Sequence, residues 1–290
     1  MTASPPFALF IRGTKDAAFE VSDQLGFESE MTALAVSLFE DGPDTMHVQA
    51  LFETEDQAQA CLSGLKVADE MESFITQLPD EDWVSKSQAG LPPVKAGRFW
   101  LYGSHDKDDI PADIPFPIEI NAGLAFGTGH HGTTKGCLLI FDDLLTGGFD
   151  PARVLDLGCG AGVLAIAAAK ALKRDILATD IDQDAVDVTL QNAQVNDVKA
   201  YIQSHQADGF DSPVLAGGQF DLIFANILAG PLMALAPDIA KALAPGGHVI
   251  LSGILDEQAE TVTQAFIEKG LKVSPQPSLS GWTSLLGQKP

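Results

Sequence analysis

One stretch constrains this chain more than any other: Val154-Leu155-Asp156-Leu157-Gly158-Cys159-Gly160-Ala161-Gly162-Val163-Leu164-Ala165. An apolar run stopped by three glycines and resumed as an alanine-rich segment reaching Leu172 reads as a buried strand, a tight turn and a helix. Glycine at 158, 160 and 162 permits positive φ and close backbone approach, and the helix that follows offers unpaired N–H groups to a carboxylate or phosphate. Further apolar runs at 176–179, 200–203, 222–225 and 248–252 alternate with helical stretches. That alternation predicts an α/β domain with a mostly parallel sheet covered on both faces.

Spacing narrows the ligand. A dinucleotide loop reads G-x-G-x-x-G, whereas this one reads G-x-G-x-G and carries Asp156 two residues ahead, which favours S-adenosylmethionine over NAD. Asp180 ends the next strand at the distance of one β/α unit, where its carboxylate can accept both hydroxyls of a ribose. Asp182 is expected to cap the helix that follows. Asp208, at the end of the third strand, either bonds an adenine amine or is a solvated turn residue. Asn226 ends the strand at 220–225, where strand tips meet a ligand crevice. Its side-chain carbonyl could face an incoming amine, or it could cap a helix starting near Pro231.

The N-terminal third follows a different plan. Segments at 7–11, 16–25, 32–39, 47–52 and 57–65 read βαββα, with Gly42-Pro43-Asp44 as a turn, and suggest a small ferredoxin-like α+β domain. Proline, glycine and charge then break the pattern. The expected organisation is a small acidic domain over 1–80, a connection over 81–120 and an α/β domain over 121–290. Trp83, Phe99, Trp100 and Tyr102 lie in the connection, and either pack it onto one domain or meet a partner.

Charge and cysteine usage remove other classes. Lys and Arg number 17 against 40 Asp and Glu, a net charge of −23 that opposes nucleic acid and anionic lipid. The first ninety residues hold 17 acids and 4 bases, so −13 of that charge is theirs, which suits a cationic partner or a charged solubilising surface. Cys61, Cys137 and Cys159 lack metal-ligand or disulfide spacing, and no metal is expected. No signal peptide or membrane-spanning run is evident, so the expected compartment is the cytoplasm.

Asp-x-Gly-x-Gly-x-Gly, Asp180, Asn226 and the turn Pro245-Gly246-Gly247 together resemble class I S-adenosylmethionine-dependent methyltransferases. Finer pieces narrow the likeness: Gly123-Leu124-Ala125-Phe126-Gly127-Thr128-Gly129, then His131 and Thr133-Thr134, then residues 225–232 and 251–255. These look like the ribosomal protein L11 methyltransferase family, over nearly the whole chain. The resemblance implies a Rossmann-like seven-stranded methyltransferase domain behind a ferredoxin-like domain that recognises the substrate. It also implies methylation of lysine ε-amines and the N-terminal α-amine of ribosomal protein L11.

Carried over by motif, cofactor contacts fall on Thr134, Gly158, Asp180 and Asn226, with Phe126, Gly127, Thr128, Asp156, Gly160 and Asp208 beside them and Asn226 as the catalytic candidate. The sequence departs from the family by placing His130 and Gly132 where Thr and Pro are usual, which should loosen the loop. His130 and His131 are expected to be structural or to cover the cofactor rather than bind metal. Alternatives are a methyltransferase of another protein or small molecule, and a cofactor-binding module without catalysis. A monomer is the default expectation.

Overall fold

A computed structural model of the chain describes residues 6–27, 33, 35–42, 44–68, 71–78, 93–120 and 132–290. The chain forms two compact units, Met1–Lys86 and Ser87–Pro290.

In the first unit, β1 (Phe7–Thr14), α1 (Lys15–Phe27), β2 (Ala35–Gly42), β3 (Thr45–Phe52), α2 (Glu55–Gly64) and β4 (Glu72–Gln77) follow in order. Their antiparallel sheet runs β2-β3-β1-β4, the ferredoxin-like arrangement. Alternation in β3 buries Met46, Val48, Ala50 and Phe52 with Leu9, Ile11, Val21 and Cys61. Thr54 caps α2 with a capping box, its hydroxyl accepting from Gln57 N–H. The sixth element, β4, had no apolar run to announce it: it is an edge strand whose residues are mostly exposed.

The second unit opens with a three-stranded sheet of β5 (Val94–Ala96), β6 (Phe99–Tyr102) and β7 (Phe116–Glu119). Residues 93–120 lie within the stretch expected as a connection, yet Phe99, Leu101 and Ile118 belong to the main core of this unit. Phe99 stacks on Phe141 at 5.8 Å, Arg98 pairs with Asp142 at 2.5 Å, and Asn196 accepts from the Glu119 backbone N–H at 3.0 Å. Of the aromatics named for this stretch, Phe99 and Tyr102 are buried, while Trp83 lies outside the described residues.

A seven-stranded sheet follows, built from β8 (Val154–Leu157), β9 (Ile176–Asp180), β10 (Ile202–Gln206), β11 (Phe220–Asn226), β12 (Leu243–Leu255), β13 (Lys272–Pro275) and β14 (Trp282–Gln288) in the order β10-β9-β8-β11-β12-β14-β13. The first five run parallel, and β14 is antiparallel to both neighbours. Helices α3 (Gly132–Thr146), α4 (Val163–Leu172), α5 (Gln183–Val195), α6 (Ala229–Ala242) and α7 (Ala259–Ile267) cover it. Two clusters of buried apolar residues form its two faces, one around Phe141, Ile166 and Phe224, the other around Leu155, Ile223 and Leu251. The third parallel strand begins two residues later than expected because a 3₁₀ turn over Lys199–Tyr201 precedes it.

Candidate functional site

Strand order reverses between β8 and β11, and ligands bind an open α/β sheet in the crevice beyond the strand tips at such a reversal. Paired registers align Leu157 with Thr179 on one side and with Ala225 on the other, so the turn after β8 is flanked by Asp180 and Asn226. The glycines there take φ of 73° at 158, 53° at 160 and 79° at 162, all in the left-handed region. Gly158 and Cys159 N–H donate to Thr179 O at 2.8 and 3.0 Å, fastening the turn to β9. Thr189 completes the clasp from α5, donating to Gly160 O at 2.9 Å.

Asp180 is joined directly to this turn. Its Oδ2 accepts from Gly160 N–H at 2.8 Å and its Oδ1 from Asp182 N–H at 3.1 Å. A carboxylate has about four acceptor sites, so two remain for hydroxyls. Ile181 follows with 64% of its surface exposed, an apolar platform beside the carboxylate that the sequence reading passed over. Asp182 does cap α5, accepting from Asp184 N–H at 2.9 Å. Asp208 is exposed just past the tip of β10, and Ala207 N–H donates to Asp180 O at 2.8 Å, which holds the two tips together.

Asp156 takes a different position from the other loop residues. It is 1% exposed, and its Oδ2 accepts from Ala165 N–H at 2.9 Å, satisfying one donor in the first turn of α4. Burial, with Asp180 nearby, pushes its pKa up to about 7 against the lowering effect of the Ala165 bond. Burial also raises the Cys159 thiol well above its ordinary value, so the loop cysteine stays neutral and is no nucleophile.

Asn226 is the most informative side chain in the crevice. Its Nδ2 donates to Thr134 Oγ1 at 3.4 Å, while its Oδ1 is buried without a hydrogen-bond partner among the described residues. An orphaned buried carbonyl costs about 1–3 kcal/mol, and a ligand N–H would repay it. Asn226 does not cap a helix, since α6 begins at Ala229 after Leu228. Thr134 is itself buried, so its hydroxyl is held against Asn226 rather than open to solvent.

Gly132 starts α3, where an added Cβ would lie 2.5 Å from Leu279 O. A side chain at 132 would therefore crowd the Leu279 backbone, while the loop expected to be loosened lies outside the described residues. Phe126, Gly127, Thr128, His130 and His131 lie outside the described residues. Among the described residues, no group of three or more His, Cys, Asp or Glu is arranged to hold a metal ion. No helix among them is long and apolar enough to cross a membrane.

The profile of the ribosomal protein L11 methyltransferases matches residues 11–290. The chain belongs to that family. A ribosomal protein L11 methyltransferase of Rhodopseudomonas palustris is 44% identical over 96% of each chain, and one of Brucella suis is 51% identical over 72% of this chain and 73% of its own. The crystal structure of ribosomal protein L11 methylase from Lactobacillus delbrueckii subsp. bulgaricus is similar at TM-score 0.59 and 28% identity, covering 68% of this chain and 99% of its own. Family membership makes the chain a protein methyltransferase whose donor is S-adenosyl-L-methionine.

Proposed function

We propose that this chain transfers methyl groups from S-adenosyl-L-methionine to lysine ε-amines and the N-terminal α-amine of ribosomal protein L11, with Asn226 holding the incoming nitrogen. The orphaned Asn226 Oδ1 carries the assignment of that residue. The site fits the donor. The left-handed glycine turn presents backbone to a carboxylate, Asp180 retains acceptor sites for ribose hydroxyls, and Ile181 offers an apolar surface to adenine, with Asp208 beside it for the adenine amine. Bound there, S-adenosyl-L-methionine supplies a methyl group already activated by positive sulfur.

The chain's part is to align a free amine and exclude water. Asn226 Oδ1 accepts one N–H of that amine, which fixes the direction of its lone pair. Leaving water disfavours the ammonium form, so the lysine proton goes to solvent before attack. Asp156 supports the turn through Ala165 and acts as a positioning residue. Thr134 does the same for Asn226.

The first unit is the docking surface for L11. The face of its sheet opposite the buried cluster carries a row of rings: Phe74 stacks on Phe10 at 4.9 Å, Phe10 meets His47 at 5.8 Å, and His47 stacks on Phe39 at 4.9 Å. Phe74 is 55% exposed and the other three rings are half-buried, and an aromatic patch that reaches solvent suits a protein contact. A protein that binds ribosomal RNA is cationic, and the −13 of the first ninety residues complements it. The same charge argues against direct nucleic-acid binding. A ribosomal protein substrate favours a cytoplasmic enzyme, and a monomer is the state proposed for it.

Steady-state kinetics of Asn226→Ala on purified L11 tests the central assignment. A fall in kcat of about 100-fold is expected for losing a positioned acceptor. Unchanged kcat with unchanged binding of S-adenosyl-L-homocysteine would remove Asn226 from both roles.

A further inference from the structure

The family motif and the strand-tip position account for Asn226, but not for what keeps its amide turned with Oδ1 inward. Among the described residues the side-chain bond from Asn226 reaches only Thr134 Oγ1, and Thr134 sits in the first turn of α3, 92 residues earlier in the chain. A helix end is the part of a helix that frays most readily. Something must pin this one.

Ser252 and Ser284 meet it from the sheet. Ser252 is the register partner of Asn226 on β12, and its Oγ donates to Thr133 O at 3.2 Å. That uses its single proton, so in the 2.9 Å bond between the two hydroxyls Ser284 is the donor and Ser252 the acceptor. Both serines are at most 3% exposed, in a part of the sheet where apolar residues are the rule. Gly136 lets α3 lie this close, because a Cβ there would overlap Ser284 Oγ. Cys137, next to it, is held neutral by burial, with a thiol pKa pushed up to about 12.

We infer that the hydrogen-bond relay from Ser284 Oγ through Ser252 Oγ to the Thr133 backbone carbonyl is a positioning device for methyl transfer. It clamps the first turn of α3 onto β12, sets Thr134 Oγ1 against Asn226 Nδ2, and thereby presents Asn226 Oδ1 to the substrate amine. Ser252 and Ser284 touch neither substrate nor donor and act through Thr134 and Asn226. The inference rests on the reading of Asn226 as the amine acceptor.

The experiment is a double-mutant cycle on the full chain with L11 as substrate, combining Ser252→Ala with Asn226→Ala. Ser252→Ala alone should lower kcat about 10-fold, the scale expected when a catalytic group loses sub-ångström support, with KM for L11 unchanged. In the Asn226→Ala background the same substitution should change kcat less than twofold, since nothing is left to position. Ser284→Ala should repeat the pattern, and Ser252→Cys, which keeps size and a weak donor, should restore part of kcat. Thermal unfolding of each variant separates loss of fold from loss of alignment. A kcat for both serine variants equal to the parent, or an equal loss with and without Asn226, overturns the relay. An Asn226→Ala enzyme with unchanged kcat overturns the acceptor reading instead, and the relay's catalytic role with it.

Discussion

Replacing Gly158 by alanine tests whether the glycine turn and the Asn226 segment form one rigid crevice. Two effects are separable there. The first is backbone strain: φ at 158 is 73°, and a Cβ in the left-handed region costs about 1–2 kcal/mol. The second is collision. The new methyl would come about 1 Å inside the 3.4 Å at which ordinary contact with Ile227 Cγ2 begins. Ile227 is β-branched, so that methyl cannot swing aside without moving its sister branch. The turn and the residue after Asn226 must then part by roughly an ångström, a misplacement that can cost about 100-fold in rate.

Gly148→Ala isolates the strain, because Gly148 has φ 88° and nothing within 4 Å of an added Cβ. Both variants should lower Tm by a few degrees, about 2–4 °C per kcal/mol in a chain of this size. Only Gly158→Ala should lower kcat by about 100-fold and weaken calorimetric binding of S-adenosyl-L-homocysteine. If both variants keep parental kcat and product affinity, the crevice is not braced at this point and the reasoning fails.

Three further outcomes follow from the same geometry. Asp156 has its pKa raised from 3.8 to about 7 by burial. Folding therefore disfavours its ionised form, and stability falls as pH rises from about 4 through 7, then levels. At about 1.4 kcal/mol per pH unit the full cost is on the order of 4 kcal/mol. Asp156→Asn should lose that decline in urea unfolding while keeping an acceptor for Ala165, and parallel curves for the two proteins from pH 4.5 to 8 would contradict it. Asp180→Ala should weaken donor binding by at least about 10-fold and lower Tm, since the Gly160 and Asp182 N–H groups lose their acceptor; calorimetry reads the first and thermal unfolding the second. Phe74→Ser should raise KM for L11 several-fold with kcat on saturating substrate unchanged, and KM of the parent should climb between low and high salt. A KM flat in salt would argue for a solubilising surface.

What could be read early was whatever depends on neighbours in sequence. The turn after β8, the Asp182 cap and the alternation of buried strands with helices are local, because φ preferences and N–H satisfaction act within a few residues. Asp180 and Asn226 were legible for a related reason: they end apolar strands, and strand tips on one edge of a parallel sheet converge. The first unit was readable as far as α2, and its last strand was not, since β4 is an edge strand with little to bury.

Residues 93–120 show the opposite failure. Their prolines and charges read as a connection, while Phe99, Leu101 and Ile118 occupy core positions that a short sheet can fill without a long apolar run.

The sequence by itself determined the class of fold, the glycine turn with Asp180 and Asn226 at the neighbouring strand tips, and the family, since these are written in short motifs whose backbone requirements few residues meet. Only the tertiary structure decided what each polar side chain does. It turned Asp156 inward to a helix end, left Asn226 Oδ1 unpaired among the described residues, and brought Thr133, Ser252 and Ser284 together from three distant segments. Hydrogen-bond partners are chosen by distance in space, and burial sets the cost of leaving one unmade, so neither can be read from order along the chain.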